Sequence, residues 1–332
     1  MSRYLARRLL QMIPLVFGLS VIIFLVLALA PGDPVDLLIF GNPQIRPEDV
    51  VRLKHFYGLD QPMYLRYFKW LGAAVLHGDL GYSRTYKTPV FSLIGARVSN
   101  SLWLTIPAFF LALLVAVPVG IYSALHQYSA RDYAATFLTF FGVSIPVFWF
   151  GIMMIYLFAV WHPWSAISAL AWLRLPAGGF ASSGVSEGVA VYADRIQYMI
   201  LPVIVLSLLF MAGYTRFTRS SMLEVVRQDY VRTARAKGLE TRVVINKHAL
   251  KNAMIPLVTI IALSVPGLFA GAPLTETVFG WPGIGQLLVT SVQGADFAVA
   301  QGIIMVLAGL VIVFNLLADV AYALLDPRIR YD

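Results

Sequence analysis

The sequence predicts an all-α integral membrane protein with six transmembrane helices, and its composition and hydropathy pattern support that prediction. Of the 332 residues, 59% are hydrophobic and 13% are charged, and the mean hydropathy is +0.76. Soluble domains carry about 25% charged residues. The apolar residues are gathered into long runs. Such runs cross a bilayer as helices, because unpaired backbone groups are costly in lipid.

The first apolar run, Leu9–Ala30, is expected to be a retained transmembrane helix within an N-terminal segment of residues 1–30. A signal peptide is the alternative, since residues 28–30 resemble a cleavage site. However, the run is longer than the roughly 7–15 residues of a signal-peptide core, and Pro31 follows the would-be cut. At about 1.5 Å per residue it reaches about 33 Å, enough to cross a hydrocarbon core of about 30 Å.

Residues 31–97 are polar enough to lie in water, and we expect them to form a long first extracytoplasmic loop domain. The turn-forming cluster Pro31–Pro34 opens this segment. The stretch Leu65–Leu76 is rich in aromatic residues and is typical of an amphipathic helix at the membrane interface. Gly78–Gly81 is expected to end that helix.

Five further apolar runs are expected to form a core transmembrane domain of residues 98–325, followed by a cytoplasmic tail at 326–332. The runs are Val98–Leu125, Ala134–Val160, Ile196–Gly213, Ile255–Pro273 and Gln301–Leu325. Several contain prolines, each of which removes a backbone hydrogen bond and can kink its helix. These prolines are Pro107, Pro118, Pro146, Pro202 and Pro266.

The basic residues orient the predicted spans with both termini in the cytoplasm. This orientation places the N-terminal arginines, the cluster Arg216–Lys251 and the C-terminal arginines inside, as the positive-inside rule requires. The first outer loop is also basic, but it exceeds 60 residues, and the rule is weak for long loops. The net charge is +8. The basic residues are distributed as membrane orientation requires. We therefore expect the lipid bilayer, and no nucleic acid, to be a partner of this chain.

The sequence carries no recognisable reaction centre. It has no cysteine and no GK[ST] phosphate loop, so we expect that this chain does not itself hydrolyse ATP. No serine is framed as GxSxG. The histidines form no metal-binding pair; they are His55, His77, His126, His162 and His248. We therefore expect no catalytic, metal or cofactor site in this chain.

Two acidic residues are candidates for a translocation path or gate. Asp319 lies within the last apolar run, where an ionisable side chain suggests function. It also lies about two turns from the end of that run, where snorkelling or a local hydrogen bond would satisfy it. Glu276, at the outer end of the fifth run, could meet solute, although a charge in an outer loop is usually solvated.

Residues 216–254 form the predicted cytoplasmic loop, and Asp229–Met254 is its most strongly charged stretch. Six basic residues stand against two acidic ones; they are Arg232, Arg235, Lys237, Arg242, Lys247 and Lys251, against Asp229 and Glu240. Such a segment must lie in water. Its spacing predicts two short helices separated by a glycine turn.

The first of these helices places Tyr230, Val231 and Ala234 at helical spacing, and its Asp229 is three residues before Arg232 and can pair with it. Gly238 stands where a left-handed C-cap would end that helix. Thr241 is expected to cap the second helix, and Pro256 to start the next span.

This stretch resembles the EAA coupling loop of ABC importer permeases. Counting back from Gly238, Arg232–Ala234 stands where the generic pattern has Glu-Ala-Ala, and His248–Lys251 stands where Ile-x-Leu-Pro follows. Both departures are similar to those of the dipeptide, oligopeptide and nickel permeases. Other segments resemble the same branch in the same order; they are Gly58–Leu71, Gly78–Ser83, Glu276–Gly285 and Tyr322–Tyr331. The long first outer loop is similar to that of the first of the two paired permease subunits.

The resemblance implies the type I ABC importer permease fold and a place in a bacterial inner membrane. The chain would form half of a translocation path for di- or oligopeptides, working by alternating access. Its implied partners are a second homologous permease, one or two cytoplasmic ATPases that bind ATP and Mg²⁺, and an extracytoplasmic solute-binding protein. The residues implied to couple to the ATPase are Asp229, Tyr230, Arg232, Thr233, Ala234, Arg235, Lys237, Gly238 and Leu239.

Two alternatives remain at this point. The same subunit type also imports nickel, glutathione or another small solute, because the branch shares these motifs. A self-sufficient secondary transporter would instead need coupling carboxylates deep in its spans, and Asp319 is the main such residue in this sequence.

Overall fold

The structure, a computed structural model, describes residues 2–29, 46–56, 58–163, 173–182, 184 and 188–325. The side chains at 2–6, 9, 56 and 319–325 lie outside that description, as do the predicted turn at Pro31–Pro34 and the predicted tail at 326–332. Helices are the regular secondary structure of the described residues, and one isolated antiparallel bridge joins Tyr82 to Pro89. The all-α prediction is confirmed.

The described helices are named in chain order. They are α1 Ser2–Ala28, α2 Pro47–Phe56, α3 Met63–His77, α4 Val90–Leu125, α5 Ala130–Ser144, α6 Val147–Ile155, α7 Val189–Val226, α8 Asp229–Ala236, α9 Thr241–Phe269, α10 Pro273–Val278, α11 Ile284–Gln293 and α12 Phe297–Leu325. A π-helical turn, Tyr156–Trp161, extends α6, and a π-helical stretch, Val244–Leu250, lies within α9.

Within the described residues, five helices are long and apolar enough to cross a membrane, and α5 with α6 would supply a sixth span. The α5–α6 pair is bent by 100° at its break. Its cause is Pro146, because a proline disfavours the helical conformation of the residue before it. Ile145 accordingly takes an extended conformation, with φ −80° and ψ 128°. The prolines predicted to kink other spans lie inside continuous helices; these are Pro107, Pro118, Pro202 and Pro266.

Several helix limits differ from those predicted, and three of them bear on the cytoplasmic and outer ends of the spans. Helix α4 begins at Val90, before the predicted start at Val98, and α7 continues through Val226 into the predicted cytoplasmic loop. The expectation that Pro256 starts a span was wrong: it lies inside α9, which runs unbroken from the end of the glycine turn to Phe269. Apolar composition detects the part of a helix that lies in lipid. It does not detect the polar turns that extend the helix into water.

The chain divides into two compact units, of which the first comprises residues 1–99 and 283–332. Its core contains Leu80, Val90, Ile94, Ile284, Leu287, Val299 and Ile303. The buried Ser83 hydroxyl donates to the Asp296 carboxylate over 2.7 Å, and the Thr85 amide donates to the same carboxylate over 3.0 Å. These bonds tie the Gly78–Ser83 segment of the first loop to the start of α12.

The second unit comprises residues 100–282 and holds the predicted coupling loop. Helices α4 and α7 cross closely at Gly120, where an added Cβ would lie 2.7 Å from Thr218 Cβ and 2.8 Å from the Thr215 carbonyl oxygen. Small residues allow membrane helices to approach in this way. C-terminal to this crossing, α4 and α7 meet α9 around a cluster of mostly small apolar side chains, which supports α8.

An ion pair between the partly exposed Arg219 and the buried Asp132 joins three helices of the second unit near this cluster. The Arg219 guanidinium of α7 donates through Nε and Nη2 to the two carboxylate oxygens of Asp132 in α5, each over 3.0 Å. Its Nε also lies 3.0 Å from the Ser123 hydroxyl of α4, which itself donates to Asp132. The Tyr128 amide donates to the same carboxylate over 3.0 Å. Bidentate geometry of this kind fixes helix positions as well as charge.

Removing one member of this pair should destabilise the second unit more than removing both. Arg219→Met leaves a buried carboxylate without its cation, which should cost about 2–3 kcal/mol, whereas an apolar pair of similar volume is often tolerated. We expect Arg219→Met to lower the Tm of the detergent-solubilised protein, and Asp132→Leu added to it to restore much of the loss. Arg242→Met, at an exposed position, is the matched control. Equal Tm values for Arg219→Met and the control would contradict this.

Candidate functional site

The predicted coupling segment forms helix α8, a glycine turn and the start of α9. Helix α8 begins after Gln228, which is extended, and it ends at Ala236. Asp229 lies in its first turn and Arg235 in its last, so both charges favour the helix dipole. The predicted arrangement of helix, turn and helix is therefore present.

One face of α8 is buried by small and branched side chains. Val231 and Ala234 lie on this face, three residues apart. They pack in one cluster with residues of α4, α7 and α9; these are Ala124, Met222, Val244, Ala249 and Ala253. Four of these seven buried residues are alanines, and small residues allow membrane helices to pack closely. This packing holds α8 against the ends of three longer helices.

The opposite face of α8 is exposed. Tyr230 is partly exposed, and its hydroxyl accepts a hydrogen bond from Asn252 Nδ2 of α9 over 3.1 Å. Asn252 belongs to the HALKNA segment, and no pattern in the sequence pointed to its contact with Tyr230. Also exposed, in α8 or in the turn after it, are Asp229, Arg232, Thr233, Arg235, Ala236, Lys237, Gly238 and Leu239. The predicted Asp229–Arg232 pair forms at 3.7 Å, but both side chains are more than 80% exposed, so it adds little stability.

The turn after α8 depends on Gly238. Its φ is +76°, in the left-handed region, as predicted for a C-cap. No atom lies within 4 Å of the position of an added Cβ, so any strain from a substitution comes from φ alone. The expectation that Thr241 caps the second helix was wrong. That helix begins at Thr241 itself, after Glu240, and no side-chain bond caps it.

A cavity of about 710 Å³ opens beside α8, and we call it the basic groove. Its apolar wall is formed by Ala124, Leu125, Leu223 and Val226, and its polar wall by His126, Gln127, Arg227, Arg232 and Arg235. Among these described lining residues none is acidic. An open groove with three guanidinium groups and an apolar wall favours an acidic side chain with apolar neighbours.

Glu276 is fully buried, so its expected solvation was wrong. It lies in α10, and its Oε1 accepts hydrogen bonds from the Ser101 hydroxyl over 2.7 Å and from the Ala272 amide over 3.1 Å. Next to it, the buried Trp281 donates through Nε1 to the Asn100 carbonyl over 2.8 Å. The first part of the Glu276–Gly285 segment is therefore packed against α4, at the corner between α9 and α10.

The remaining candidates contribute no further site geometry. Asp319 lies in α12, and its side chain is outside the described part of the chain. Among the described side chains, no group of three or more histidine, aspartate or glutamate residues lies close enough to hold a metal ion.

Two sequence profiles match the chain in succession. The profile described as the N-terminal part of binding-protein-dependent transport system membrane components matches residues 1–110. The profile described as binding-protein-dependent transport system inner membrane component matches residues 116–331. Together they cover both compact units.

Curated relatives align with the chain from end to end. The oligopeptide transport system permease protein AppB of Bacillus subtilis is 42% identical over 332 residues, covering 100% of both chains. The dipeptide transport system permease protein DppB of Escherichia coli is 40% identical over 339 residues, covering 100% of this chain and 99% of the relative. The di/tripeptide transport system permease protein DppB of Pseudomonas aeruginosa is 38% identical over 336 residues, with the same coverage.

Profile matches along almost the whole sequence, identities of 38–42% to full-length relatives and several membrane-spanning helices agree, and the chain belongs to the family of binding-protein-dependent transport system inner membrane components.

Proposed function

We propose that this chain is a permease subunit of an ABC importer of di- or oligopeptides, and that α8 couples it to a cytoplasmic ATPase. The main observation in support of this proposal is that α8 has one packed side and one exposed side. One side is fixed by Val231 and Ala234 in a cluster of small residues, and the other presents exposed basic and polar side chains. A docking element that transmits force needs both sides.

The packing around α8 gives a physical route for such a force. Displacing α8 would press on the ends of α4 and α7 through Ala124 and Met222, and on α9 through Val244 and Ala249. Because α9 continues without a break to Phe269, a push at its start reaches the far end of a membrane-spanning helix. ATP and Mg²⁺ would be bound by the ATPase subunits, and closure of these subunits would move α8.

The basic groove would be the second contact with the ATPase. Arg227, Arg232 and Arg235 line it beside an apolar wall. Side chains of opposite charge across an interface guide docking and fix its register. We therefore expect the partner to present an acidic residue flanked by apolar ones at this place. In this arrangement both termini lie in the cytoplasm, as the basic residues indicate.

The remaining partners are a second homologous permease, which completes the translocation path, and an extracytoplasmic solute-binding protein. The family description, binding-protein-dependent transport, supports the latter. The relatives described above are named for oligopeptides, dipeptides or di/tripeptides, which favours peptide over nickel or glutathione as the solute.

Glu276 fits a supporting part in this path better than direct contact with solute. Its carboxylate is fully buried and bonded to Ser101 of α4 and to the Ala272 amide. It would hold the corner between α9 and α10 against α4 while the cavity between the two permeases opens and closes.

A change at Gly238 should uncouple transport without preventing assembly. Valine at φ +76° is strained by about 1–2 kcal/mol, which moves the end of α8, whereas asparagine tolerates this conformation. We expect Gly238→Val to lower uptake of a labelled dipeptide by the reconstituted complex about tenfold, and Gly238→Asn to retain most of it. Labelled nickel, measured in parallel, tests the alternative solute.

The coupling proposal would lose its support if Gly238→Val transported the dipeptide at the rate of the unaltered complex. Recovery of the complete complex in both variants is the necessary control, because uptake is interpretable only when the ATPase is still bound.

Charge reversal in the basic groove should weaken binding of the ATPase to this subunit. Arg227→Glu with Arg235→Glu places two acids where we expect an acidic partner, and we expect retention of the ATPase during purification to fall at least about tenfold at low salt. The matched control is Arg242→Glu, which is exposed but does not line the groove. If the double variant and the control retain equal amounts of ATPase, the groove does not contact it.

Replacing Glu276 by alanine should destabilise the corner between α9 and α10 more than replacing it by glutamine. Glu276→Ala leaves the Ser101 hydroxyl and the Ala272 amide without this acceptor, at a cost of about 1–3 kcal/mol, whereas Glu276→Gln keeps an acceptor oxygen. We expect a lower Tm and slower dipeptide uptake for Glu276→Ala only. An unchanged Tm with abolished uptake would instead indicate direct contact with solute.

A further inference from the structure

Helix α3, in the predicted first outer loop, has three distinct faces. Tyr67, Trp70 and Ala74 form the first, which is packed against neighbouring residues. Arg66, Lys69 and His77 form the second, which is polar. Tyr64, Phe68 and Val75, at spacings of four and seven residues, form the third, which we call the bare stripe. Their exposures are 66%, 57% and 70%, and described residues leave the stripe uncovered.

The packed face of α3 rests on the middle of α1. The Tyr67 hydroxyl lies 2.8 Å from the Ser20 hydroxyl, and both residues are buried. The Tyr67 ring meets Phe24 edge to face, with 5.4 Å between ring centroids, and Phe17 at 6.1 Å. Phe24 also lies 6.3 Å from Trp70. This contact therefore combines aromatic packing with one buried hydrogen bond.

The position of Ser20 along α1 sets the depth of this contact. The apolar segment of α1 extends over Leu10–Ala28, and its 19 residues are enough to cross the hydrocarbon core. Ser20 lies about 12 Å from the Ala28 end at about 1.5 Å per residue, while half of the core measures about 15 Å. The Tyr67 hydroxyl therefore lies below the membrane surface. Its bond to Ser20 replaces the water that is missing there.

On the N-terminal side of its contact with α3, the same face of α1 is exposed. Ile13 and Leu10 lie on the same side of α1 as Ser20 and Phe24, and both are exposed. In a membrane-spanning helix such residues face acyl chains. Helix α3 therefore covers only part of an otherwise lipid-facing surface, and its bare stripe lies beside that surface.

We propose that α3 lies in the plane of the membrane within the leaflet at the Ala28 end of α1, with the bare stripe covered by lipid acyl chains. On the helical wheel the bare stripe is opposite the polar face, and the packed face lies between them. This is the arrangement of faces found in interfacial helices, and the contact with Ser20 sets α3 somewhat deeper than the about 5–10 Å at which their apolar sides commonly lie. Arg66, Lys69 and His77 then extend towards the headgroups, because long basic side chains keep their charge in the polar region.

The proposal takes the interfacial helix expected at Leu65–Leu76 further, because it fixes the face that meets lipid, the leaflet and the contact with α1. It is independent of the ATPase coupling proposed for α8. It also explains why an extramembrane helix carries Tyr64 and Phe68 on a side that no described residue covers. Anchored in this way, α3 would keep the segments on either side of it close to the membrane surface.

The absence of cysteine from the natural sequence makes the test direct. Single cysteines at Phe68→Cys and Val75→Cys report on the bare stripe, and Lys69→Cys and His77→Cys report on the polar face. Each would be labelled with a small fluorophore in the complete complex, reconstituted in phosphatidylcholine vesicles. Vesicles with a nitroxide midway along an acyl chain test contact with lipid, and iodide tests contact with water.

We expect the nitroxide lipid to quench the two stripe positions at least about twofold more than the two polar positions, with the reverse order for iodide. Dipeptide uptake by each variant checks that the protein is folded. Iodide quenching at Phe68→Cys as strong as at Lys69→Cys would place the stripe in water and overturn the proposal. Protection of the stripe from both quenchers would show that another protein covers it, which overturns the proposal equally.

Discussion

A peptide group in the hydrocarbon core has no water to bond, and this constraint shapes each described part of the chain that enters lipid. It keeps α4, α7 and α9 continuous although each contains proline. It also requires the polar side chains of these helices to find partners. The Tyr214 hydroxyl donates to Ser264 over 2.8 Å, and Arg219 is paired with Asp132. A polar residue inside a span thus becomes a specific link between two helices.

The same constraint explains how much the sequence could predict. Apolar runs mark the lipid-crossing part of a helix, so the spans were found from composition. The part of a helix that extends beyond the membrane needs no apolar residues. The start of α4 and the end of α7 therefore could not be predicted from apolar composition. Gly238 was predictable because a positive φ selects one residue type locally. The bend at Ile145 was signalled by Pro146 for a similar local reason.

Burial of charge was the feature that the sequence did not reveal. Glu276 is bonded to Ser101, 175 residues away, and Asp132 to Arg219, 87 residues away. Nothing near Glu276 in the chain distinguishes it from a solvated acid of an outer loop. Its partner is supplied by the packing of α10 on α4, which depends on the tertiary fold. The packed side of α8 was easier, because Val231 and Ala234 follow the helical period.

The ion pair and the basic groove are parts of one arrangement in the second unit. Ser123 directly precedes the groove residues Ala124 and Leu125 on α4, and Arg219 lies one turn before Leu223 on α7. The bonds from Arg219 to Asp132 and Ser123 therefore hold together the two helices that form the apolar wall. A force applied at α8 would otherwise spread those helices and be lost as local strain. Because the pair is bidentate and its carboxylate is buried, it fixes the relative position of the helices geometrically as well as by charge. If α8 couples to an ATPase as proposed, the ion pair would supply stiffness one turn deeper in the protein than the docking surface.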